Sequence, residues 1–502
     1  MSVRAFFFMI TFSIIILFFG CNTRVSSCSL TNDEAISEIG KIKRLLSERS
    51  PFMNINKVRV LDSLDSLIMN LQKIDKIDKY EFSFKLKGVF AELGDRHFWL
   101  EYIGECENEN KYHLPFSLAP WKDSAAIALV KKNKIAYSFF LKNFPFLTRI
   151  NSQKIKEFID QNDLENKYAP KFSKQTLGVE KLNEFYKIKQ GLNVDDQMKF
   201  TFTSWDFKSD TVLFLNLVKS RNKWQDIDSY LSFDKDDDRI KKMLFRRYKD
   251  RIAYIKVPEM YSYLKDKEYF QWLKQILDIA RTTNALIIDI RNNRGGNRDL
   301  IDFFSDYLIA PKKFRVANLA RYRGEISDDT KKDLNSRKLF PYSYFKDPES
   351  KQAIDSYMEN FHPLVETSET LYSEYHYMVI NSKKNTDSYY YGNPVYILTN
   401  EMTFSAASVF ASSFKGLKNV KIAGICADGS SGMSKTYELK NSEIKVTFSH
   451  MLSYQKNGEL FDGIGISPDI EIHRSINQIL GYEDHQLETL LENINRHSSI
   501  EN

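Results

Sequence analysis

The 502-residue sequence is poor in cysteine and glycine, and neither sign of charge is in strong excess. Its four cysteines, Cys21, Cys28, Cys106 and Cys426, are too few and too scattered for a disulfide framework. There is no C-x-x-C pair and no histidine cluster, so we expect no metal site and no other cofactor. The 72 Lys and Arg residues nearly balance the 66 Asp and Glu residues, which argues against nucleic acid as a partner.

The composition is otherwise that of a globular protein with ample material for more than one core. Hydrophobic residues make up 42% of the chain, and there is no internal repeat or long low-complexity tract. The length predicts between two and four domains, by the usual domain size of roughly 100–200 residues.

The N-terminus predicts export. Arg4 precedes an apolar run from Ala5 to Phe19, and Gly20 and Cys21 follow, which is the order of a secretory signal peptide over residues 1–20. The segment LFFGC resembles a bacterial lipobox, and this resemblance implies that Cys21 is acylated and anchors the chain to a membrane of the cell envelope, facing the periplasm or the exterior. A transmembrane anchor is the alternative, although the run is shorter than the roughly 18 residues of a full span.

The remaining chain divides by its pattern of apolar residues. Helical spacing runs from Asn32 to Leu93, short β-type runs follow, and a nearly continuous apolar strand at Ala285–Ile290 indicates a buried parallel sheet. We therefore predict four regions: a tether and helical bundle over 21–118, a β-rich module over 119–238 that ends in a charged linker, an α/β core over 239–480 with an insertion at about 314–388, and a C-terminal helix and tail over 481–502.

One stretch of the core has the form of a functional turn. The apolar run Val395–Leu398 predicts a strand, a short polar turn follows, and Ser405 opens a segment with helical spacing. Unpaired N–H groups and the helix dipole favour developing negative charge at such a position. The simpler interpretation is that Ser405 only caps the helix.

Four segments together resemble the C-terminal processing (tail-specific) serine protease superfamily, and most closely its tricorn-like branch. They are, in chain order, FAELGDRHFWL, ALIIDIRNNRGGN, MTFSAASVFA and FDGIGISPDI. The resemblance implies an α/β core of the ClpP/crotonase-like kind, with a mixed sheet and flanking helices.

The resemblance also implies roles for individual residues. By position Ser405 is the nucleophile, His97 is the general base and Asp462 orients the histidine. A serine hydroxyl needs such a base to become a good nucleophile. The resemblance assigns the oxyanion hole to the backbone N–H groups of Gly295, Gly296 and Ala406.

Several positions depart from the family pattern, in addition to Asp462, which stands where the family has glutamate. Ser430 occupies the place of the lysine that serves as base in one branch, and Lys435 lies outside that motif. Ser408 replaces a glutamate, Phe98 replaces a threonine and Arg294 interrupts the glycine-rich turn.

Two functions remain open at this point. The first is an envelope-located serine endopeptidase that cleaves extended polypeptides or peptides; the second is an inactive relative that binds peptides or other ligands. The segment FLTRINSQKIKEFI resembles the last strand and helix of a PDZ domain, which would bind a peptide C-terminus by strand addition. The scarcity of glycine leaves another β-rich module equally open, and the oligomeric state is not predicted.

Overall fold

The computed structural model describes residues 28–105, 112–122, 125–133, 135–162, 168–182, 197–220, 222–249, 251–382 and 388–500, without the side chains of 161–162 and 497–500. The predicted signal peptide at 1–20 and the predicted lipidation site Cys21 lie outside the described residues. None of the described helices has both the length and the apolar character needed to span a membrane. Cys28 is disulfide-bonded, whereas Cys426 is a free thiol.

A six-stranded sheet forms the centre of the core. Its strands, in spatial order, are Phe245–Tyr248, Ile252–Lys256, Ala285–Asp289, Val395–Thr399, Val420–Gly424 and Ile470–Glu471. The first pair is antiparallel and every other pair is parallel. Both faces of this sheet are covered, which explains why the strand at 285–289 has no alternation and is buried at every residue.

Amphipathic helices cover the faces of this six-stranded sheet. In the helix Lys267–Ala280, for example, Tyr269, Leu273, Ile276 and Leu277 recur at helical spacing and are buried against the sheet. The other described helices of the core are Asp238–Leu244, Asp299–Leu308, Asp328–Ser336, Pro348–Met358, Ala406–Phe414, Ile476–Ile479 and His485–Ile500, and a short 3-10 turn lies at Tyr342–Tyr344.

The segment predicted as an insertion at about 314–388 contains regular structure in its described part. Its strands Phe314–Tyr322, Phe340–Pro341 and His376–Asn381 join Met451–Tyr454 in a second, four-stranded sheet. The strand at 314–322 is buried over its last seven residues. The sequence did not indicate this burial because the strand carries Arg315 and Arg321, which direct their guanidinium groups to backbone carbonyls of other segments.

The N-terminal region is joined to the core by strand pairing. The helices Asn32–Arg49, Met53–Leu71 and Lys79–Ala91 lie within the region predicted to be helical, with a small two-stranded sheet of Ser29–Thr31 and Lys76–Asp78 beside them. The chain then enters the strand Trp99–Tyr102, which pairs with Ile444–Ser449 of the core, and that strand pairs with Ser434–Leu439. This pairing places the residues just before Trp99 against the core.

Side-chain packing strengthens the same junction. Leu46, Leu64 and Phe82 of the three helices share one buried cluster with Val446 and Phe448 of the core sheet. Each large apolar side chain buried there contributes roughly 1.5–3 kcal/mol relative to an exposed one. The N-terminal region is therefore held in a fixed position relative to the core.

The described part of the middle module is an antiparallel sheet with helices beside it. Its strands are Ser117–Trp121, Ala125–Lys131, Tyr137–Phe139, Phe146–Ile150, Gln153–Lys154, Met198–Thr203 and Asp210–Leu215, and its described helices are Ile155–Asn162 and Lys171–Leu182. Asn151 and Ser152 form a two-residue hairpin turn, both with positive φ. The predicted strand, turn and helix at 146–159 are thus present, and the PDZ assignment stays a prediction.

Candidate active site

Ser405 stands in a strained turn at the carboxyl end of a central strand. Its φ of 54° and ψ of −125° are unusual for a residue with a side chain, and such conformations cost about 1–3 kcal/mol each. Its side chain makes no capping hydrogen bond. Its Oγ lies 3.2 Å from His97 Nε2 instead. The simpler interpretation of Ser405 as a helix cap is therefore wrong.

Backbone contacts from two other loops hold the strained turn. Phe404 donates its N–H to the carbonyl of Asn293, and Ser405 donates its N–H to the carbonyl of Gly429. Gly295 packs so closely that an added Cβ would lie 2.7 Å from the Ser405 Cβ. The glycine is needed here because the two turns, which follow the neighbouring strands at 285–289 and 395–399, must nearly touch.

His97 is positioned by the residues on both sides of it. The buried carboxylate of Asp95 accepts the N–H of His97 at 2.8 Å and also accepts the N–H and Oγ–H of Ser449. Arg96 forms a buried ion pair with Asp428 at 2.7 Å. Phe98 stacks on Phe90 with ring centroids 4.3 Å apart. These contacts tie the histidine loop to both the core and the N-terminal helices.

Ser430 lies between the histidine and the acidic residue. Its Oγ is 2.6 Å from His97 Nδ1 and donates to Asp462 Oδ1 at 2.9 Å. Asp462 therefore reaches His97 through a hydroxyl, and the direct bond of a three-membered triad is replaced by a four-membered chain. An aspartate is one methylene shorter than the family glutamate, and the serine fills the resulting gap.

The protonation of this chain depends on its burial. Burial, followed by the positive charges of Arg337 and Arg96, lowers the pKa of His97 to about 3, so the resting imidazole is neutral. Burial, with the nearby charge of Asp95, raises the pKa of Asp462 to about 7. An ionised Asp462 accepts the Ser430 hydroxyl, so Ser430 Oγ can accept from an Nδ1–H, and in that tautomer Nε2 is free to take a proton from Ser405. The N–H of Gly432, 3.2 Å from Nδ1, favours the other tautomer, in which the proton is on Nε2.

The three N–H groups predicted to form the oxyanion hole differ in their hydrogen bonds. The N–H of Gly295 donates to Asn293 Oδ1 at 2.9 Å and is therefore engaged, which removes Gly295 as a donor in this conformation. Within the described part of the chain, the N–H groups of Gly296 and Ala406 have no hydrogen-bond partner. A Cβ at position 295 would lie 3.0 Å from the Ala406 nitrogen, so the glycine also leaves space beside this N–H group. Two of the three predicted donors are therefore unpaired among the described residues, and their role in an oxyanion hole stays a prediction.

The side chains that depart from the family pattern make specific contacts in the structure. Ser408 donates to the carbonyl of Thr403 and accepts the N–H of Gly429, so it links the nucleophile turn to the loop of Ser430. Arg294 points outward, 4.0 Å from Glu180. Lys435 directs its ammonium group to Thr330 at 3.2 Å and to Asp333 at 3.9 Å. Lys435 is thus engaged away from Ser405.

Two positioning residues were not identified from the sequence. Ser430 was recognised only as the residue in the lysine's place, and Asn293 carried no signal beyond its position in a turn. Asn293 is fully buried, donates to the carbonyl of Val257 and accepts from Gly295. Asp95, His97 and Asp462 also place their ligand atoms within 4.8 Å of one another. The carboxylates of this group already accept hydrogen bonds from N–H and O–H donors of the protein.

A serine hydroxyl beside a neutral imidazole, with two N–H groups that have no partner among the described residues, is an arrangement typical of serine hydrolases. Residues 251–472 match the model of the family described as peptidase family S41. This match covers 222 of the 502 residues, and that part of the chain is similar to peptidase family S41. No curated protein matches the sequence.

Solved structures show a related fold. Mature CPAF complexed with lactacystin superposes with a TM-score of 0.64 at 12% identity, over 93% of this chain and 98% of the CPAF chain. The CPAF s499a mutant gives a TM-score of 0.62 at 12% identity, over 91% of this chain and 96% of that one. The photosystem II D1 C-terminal processing protease is more distant, with a TM-score of 0.40 at 12% identity over 88% and 93% of the two chains. At these identities the CPAF structures establish the fold alone.

Proposed function

We propose that the protein is an envelope-located endopeptidase that cleaves extended polypeptides, with Ser405 as nucleophile and His97 as general base. The observation that carries this proposal is the 3.2 Å approach of Ser405 Oγ to His97 Nε2 in a turn where Ser405 is strained and caps nothing. The similarity of residues 251–472 to peptidase family S41 supports a peptide or polypeptide as the substrate.

The proposed reaction follows from the contacts. His97 Nε2 takes the hydroxyl proton while Ser405 Oγ attacks the carbonyl carbon of the scissile peptide bond. The oxyanion that forms accepts hydrogen bonds from the N–H groups of Gly296 and Ala406. His97 then returns the proton to the amine of the departing half, and water releases the acyl group from Ser405 by the same steps.

The hydrogen bonds that run from His97 through Ser430 to Asp462 stabilise the imidazolium. As His97 becomes positive, its Nδ1–H donates to Ser430, whose own hydroxyl donates to the ionised Asp462. The Asp462 carboxylate is separated from the imidazolium by one hydroxyl group, so it stabilises the positive charge less than a carboxylate in direct contact would. The role of Ser430 and Asp462 is therefore to position the base and to fix its tautomer.

A fluorophosphonate probe tests the nucleophile. We expect the wild-type protein to be labelled covalently and Ser405→Ala to remain unlabelled, because the probe reacts with a serine whose hydroxyl is activated by a base. Ser413→Ala is a suitable control, since Ser413 lies in the same helix and bonds only to the carbonyl of Val409. Intact mass and peptide mapping would locate the label.

The outcome also separates the two functions considered from the sequence. Labelling that survives in Ser405→Ala would contradict the assignment of the nucleophile. Absence of labelling in folded wild-type protein, verified by circular dichroism and a cooperative melting transition, would favour a protein that binds peptides without cleaving them.

We further propose that the protein is anchored in the bacterial envelope through a lipid on Cys21. The charged and apolar N-terminus supports export. The disulfide at Cys28 also supports an oxidising compartment, where such bonds persist. The PDZ-like character of the middle module and its use in holding a peptide C-terminus belong to the same proposal.

Replacing Cys21 tests the anchor. We expect Cys21→Ser to release the protein from the membrane fraction, because the lipid could no longer be attached, while Cys426→Ser leaves it bound. Fractionation of cells that express each variant, followed by immunoblotting, measures the effect. Retention of Cys21→Ser in the membrane would favour an uncleaved transmembrane segment.

A further inference from the structure

A cavity in the core carries an excess of positive charge. Its volume is about 730 Å³, within the range of roughly 300–1,000 Å³ that is usual for small-molecule sites. Its walls come from the loop after the helix Asp299–Leu308, from the helix Pro348–Met358 and from the segment after the helix Ala406–Phe414. One acidic side chain, Glu349, lines it together with five cations, here called the cavity cations: Lys312, Lys313, Arg315, Lys418 and Lys456.

The cavity cations have no acidic partner in the part of the chain that the structure describes. None of them forms an ion pair there, and the ammonium groups of the four lysines make no hydrogen bond there either. Arg315 is the most buried of the five, and it donates to the carbonyl of Lys415, which is a neutral acceptor. Burial lowers the pKa of this guanidinium group, because it loses water without gaining a carboxylate. The positive charge is therefore not compensated within the cavity.

The ends of neighbouring helices do not account for this arrangement. The carboxyl end of a helix attracts cations, but the effect is confined to its last turn. Lys312 and Lys313 lie beyond the last turn of the helix that ends at Leu308. Lys456 comes from a third element, the turn after the strand Met451–Tyr454. Cations from separate elements thus line one cavity, as a binding site for an anion requires.

The lining indicates which kind of anion fits. Leu308, Val316, Tyr357 and Leu417 add an apolar part to the walls, so a ligand with an organic portion suits the cavity better than a bare ion. Lysines bind phosphate as point charges, whereas a carboxylate is matched best by the planar fork of an arginine. Four of the five cavity cations are lysines, and the arginine already donates to a carbonyl. A phosphate monoester, with a charge of about −1.5 to −2, satisfies several lysines at once.

We propose that the cavity binds the phosphate group of an organic ligand. The phosphate is carried either by a soluble molecule or by the headgroup of an anionic lipid, and its chemistry at the cavity is the same in both cases. The site is separate from the nucleophile turn, because the helix that starts beside Ser405 has nine residues and ends at the cavity. A helix of that length spans about 13 Å. The inference therefore does not depend on the proposed peptidase function.

Titration calorimetry with glycerol phosphate tests the soluble form of the ligand. The full-length protein would be titrated at low salt with glycerol phosphate, with glycerate, which carries one carboxylate, and with uncharged glycerol. If the protein recognises the soluble form, we expect glycerol phosphate to bind about tenfold or more tightly than glycerate, the range of a charge-assisted hydrogen bond. Glycerol should show no binding. The affinity for glycerol phosphate should decrease as the salt concentration rises, because the lysines are exposed and salt screens their charge.

Two double variants assign the binding to the cavity. Lys312→Gln with Lys418→Gln, the cavity variant, should weaken phosphate binding by about tenfold or more, because it removes cations from two different walls. Lys331→Gln with Lys332→Gln is the matched control. It removes the same charge from exposed lysines that do not line the cavity and that pair with acidic residues of their own helix. All four lysines are exposed, so both proteins should fold, and a cooperative melting transition verifies this.

Vesicles identify the carrier of the phosphate. Flotation would compare phosphatidylcholine vesicles with and without phosphatidic acid, whose headgroup is glycerol phosphate. A preference for phosphatidic acid that the cavity variant loses and the control keeps identifies a lipid headgroup. Binding of glycerol phosphate without this preference identifies a soluble ligand. The inference would be overturned by absence of binding in both assays, by glycerate binding as tightly as glycerol phosphate, by binding that the cavity variant leaves unchanged, or by an equal loss in both double variants.

Discussion

Replacement of His97 by alanine is expected to lower kcat/KM for peptide hydrolysis by at least about a thousandfold, the range expected when a general base is removed. The physical reason is the contact of His97 Nε2 with Ser405 Oγ at 3.2 Å, the one basic group that hydrogen-bonds this hydroxyl among the described residues. Without it, the serine proton has no acceptor except water. Steady-state rates on a fluorogenic peptide measure the effect.

Lys435→Ala is the matched control for this prediction. In the family branch with a serine–lysine dyad a lysine would be the base, and here Ser430 occupies its place. Lys435 is the nearest alternative in sequence, but its ammonium group contacts Thr330 and Asp333. We expect Lys435→Ala to retain most of the activity. Loss of activity in Lys435→Ala together with its retention in His97→Ala would restore the lysine as base.

Replacement of Asp462 by asparagine is expected to lower kcat/KM by about a hundredfold or more, because wrong-tautomer histidines are poor bases. The expected loss is smaller than for His97, since Asp462 acts on the imidazole through Ser430. An amide at this position can donate to Ser430 Oγ. The serine would then donate to Nδ1, and Nε2 would carry the proton and could not accept one from Ser405.

The same reasoning gives the pH dependence. The pKa of Asp462 is raised to about 7, so the carboxylate form that orients Ser430 correctly dominates above that pH and is lost below it. We expect kcat/KM of the wild type to fall as the pH decreases through about 7, because kcat/KM reports groups of the free enzyme. His97, with a pKa of about 3, stays neutral over this range and does not cause the decrease.

Two variants separate this explanation from a structural one. Asp462→Asn should lose the acidic limb of the profile as well as the rate, since an amide does not titrate, and Ser430→Ala should do the same. Glu459→Gln removes a nearby carboxylate that contacts only its own turn, and it should leave both rate and profile unchanged. An acidic limb near pH 7 that persists in Asp462→Asn would assign it to another group.

The elements of the core were largely predictable from the sequence. The strands at 285–289 and 395–399 and the helix at 406–414 appear where apolar runs and helical spacing predicted them. The segment 314–388 was harder, because its long strand carries arginines whose partners are distant carbonyls. A pattern of polar residues does not distinguish an exposed loop from a strand whose charged groups find partners only in the fold.

In the candidate active site, too, some features follow from the sequence and others only from the fold. The sequence by itself determined the candidate nucleophile, base and acid, because each lies in a short motif whose spacing is local. It also determined that a glycine-rich turn follows the predicted strand at Ala285–Ile290. These statements need only the order of residues and the chemistry of their side chains.

Only the tertiary structure decided how the candidates connect. His97 and Ser405 are 308 residues apart, and they meet because the strand Trp99–Tyr102 pairs with Ile444–Ser449. The position of the Ser430 hydroxyl between His97 and Asp462 is likewise set by distances between remote loops. Hydrogen bonds act over about 3 Å, and a sequence carries no such distances until the chain has folded.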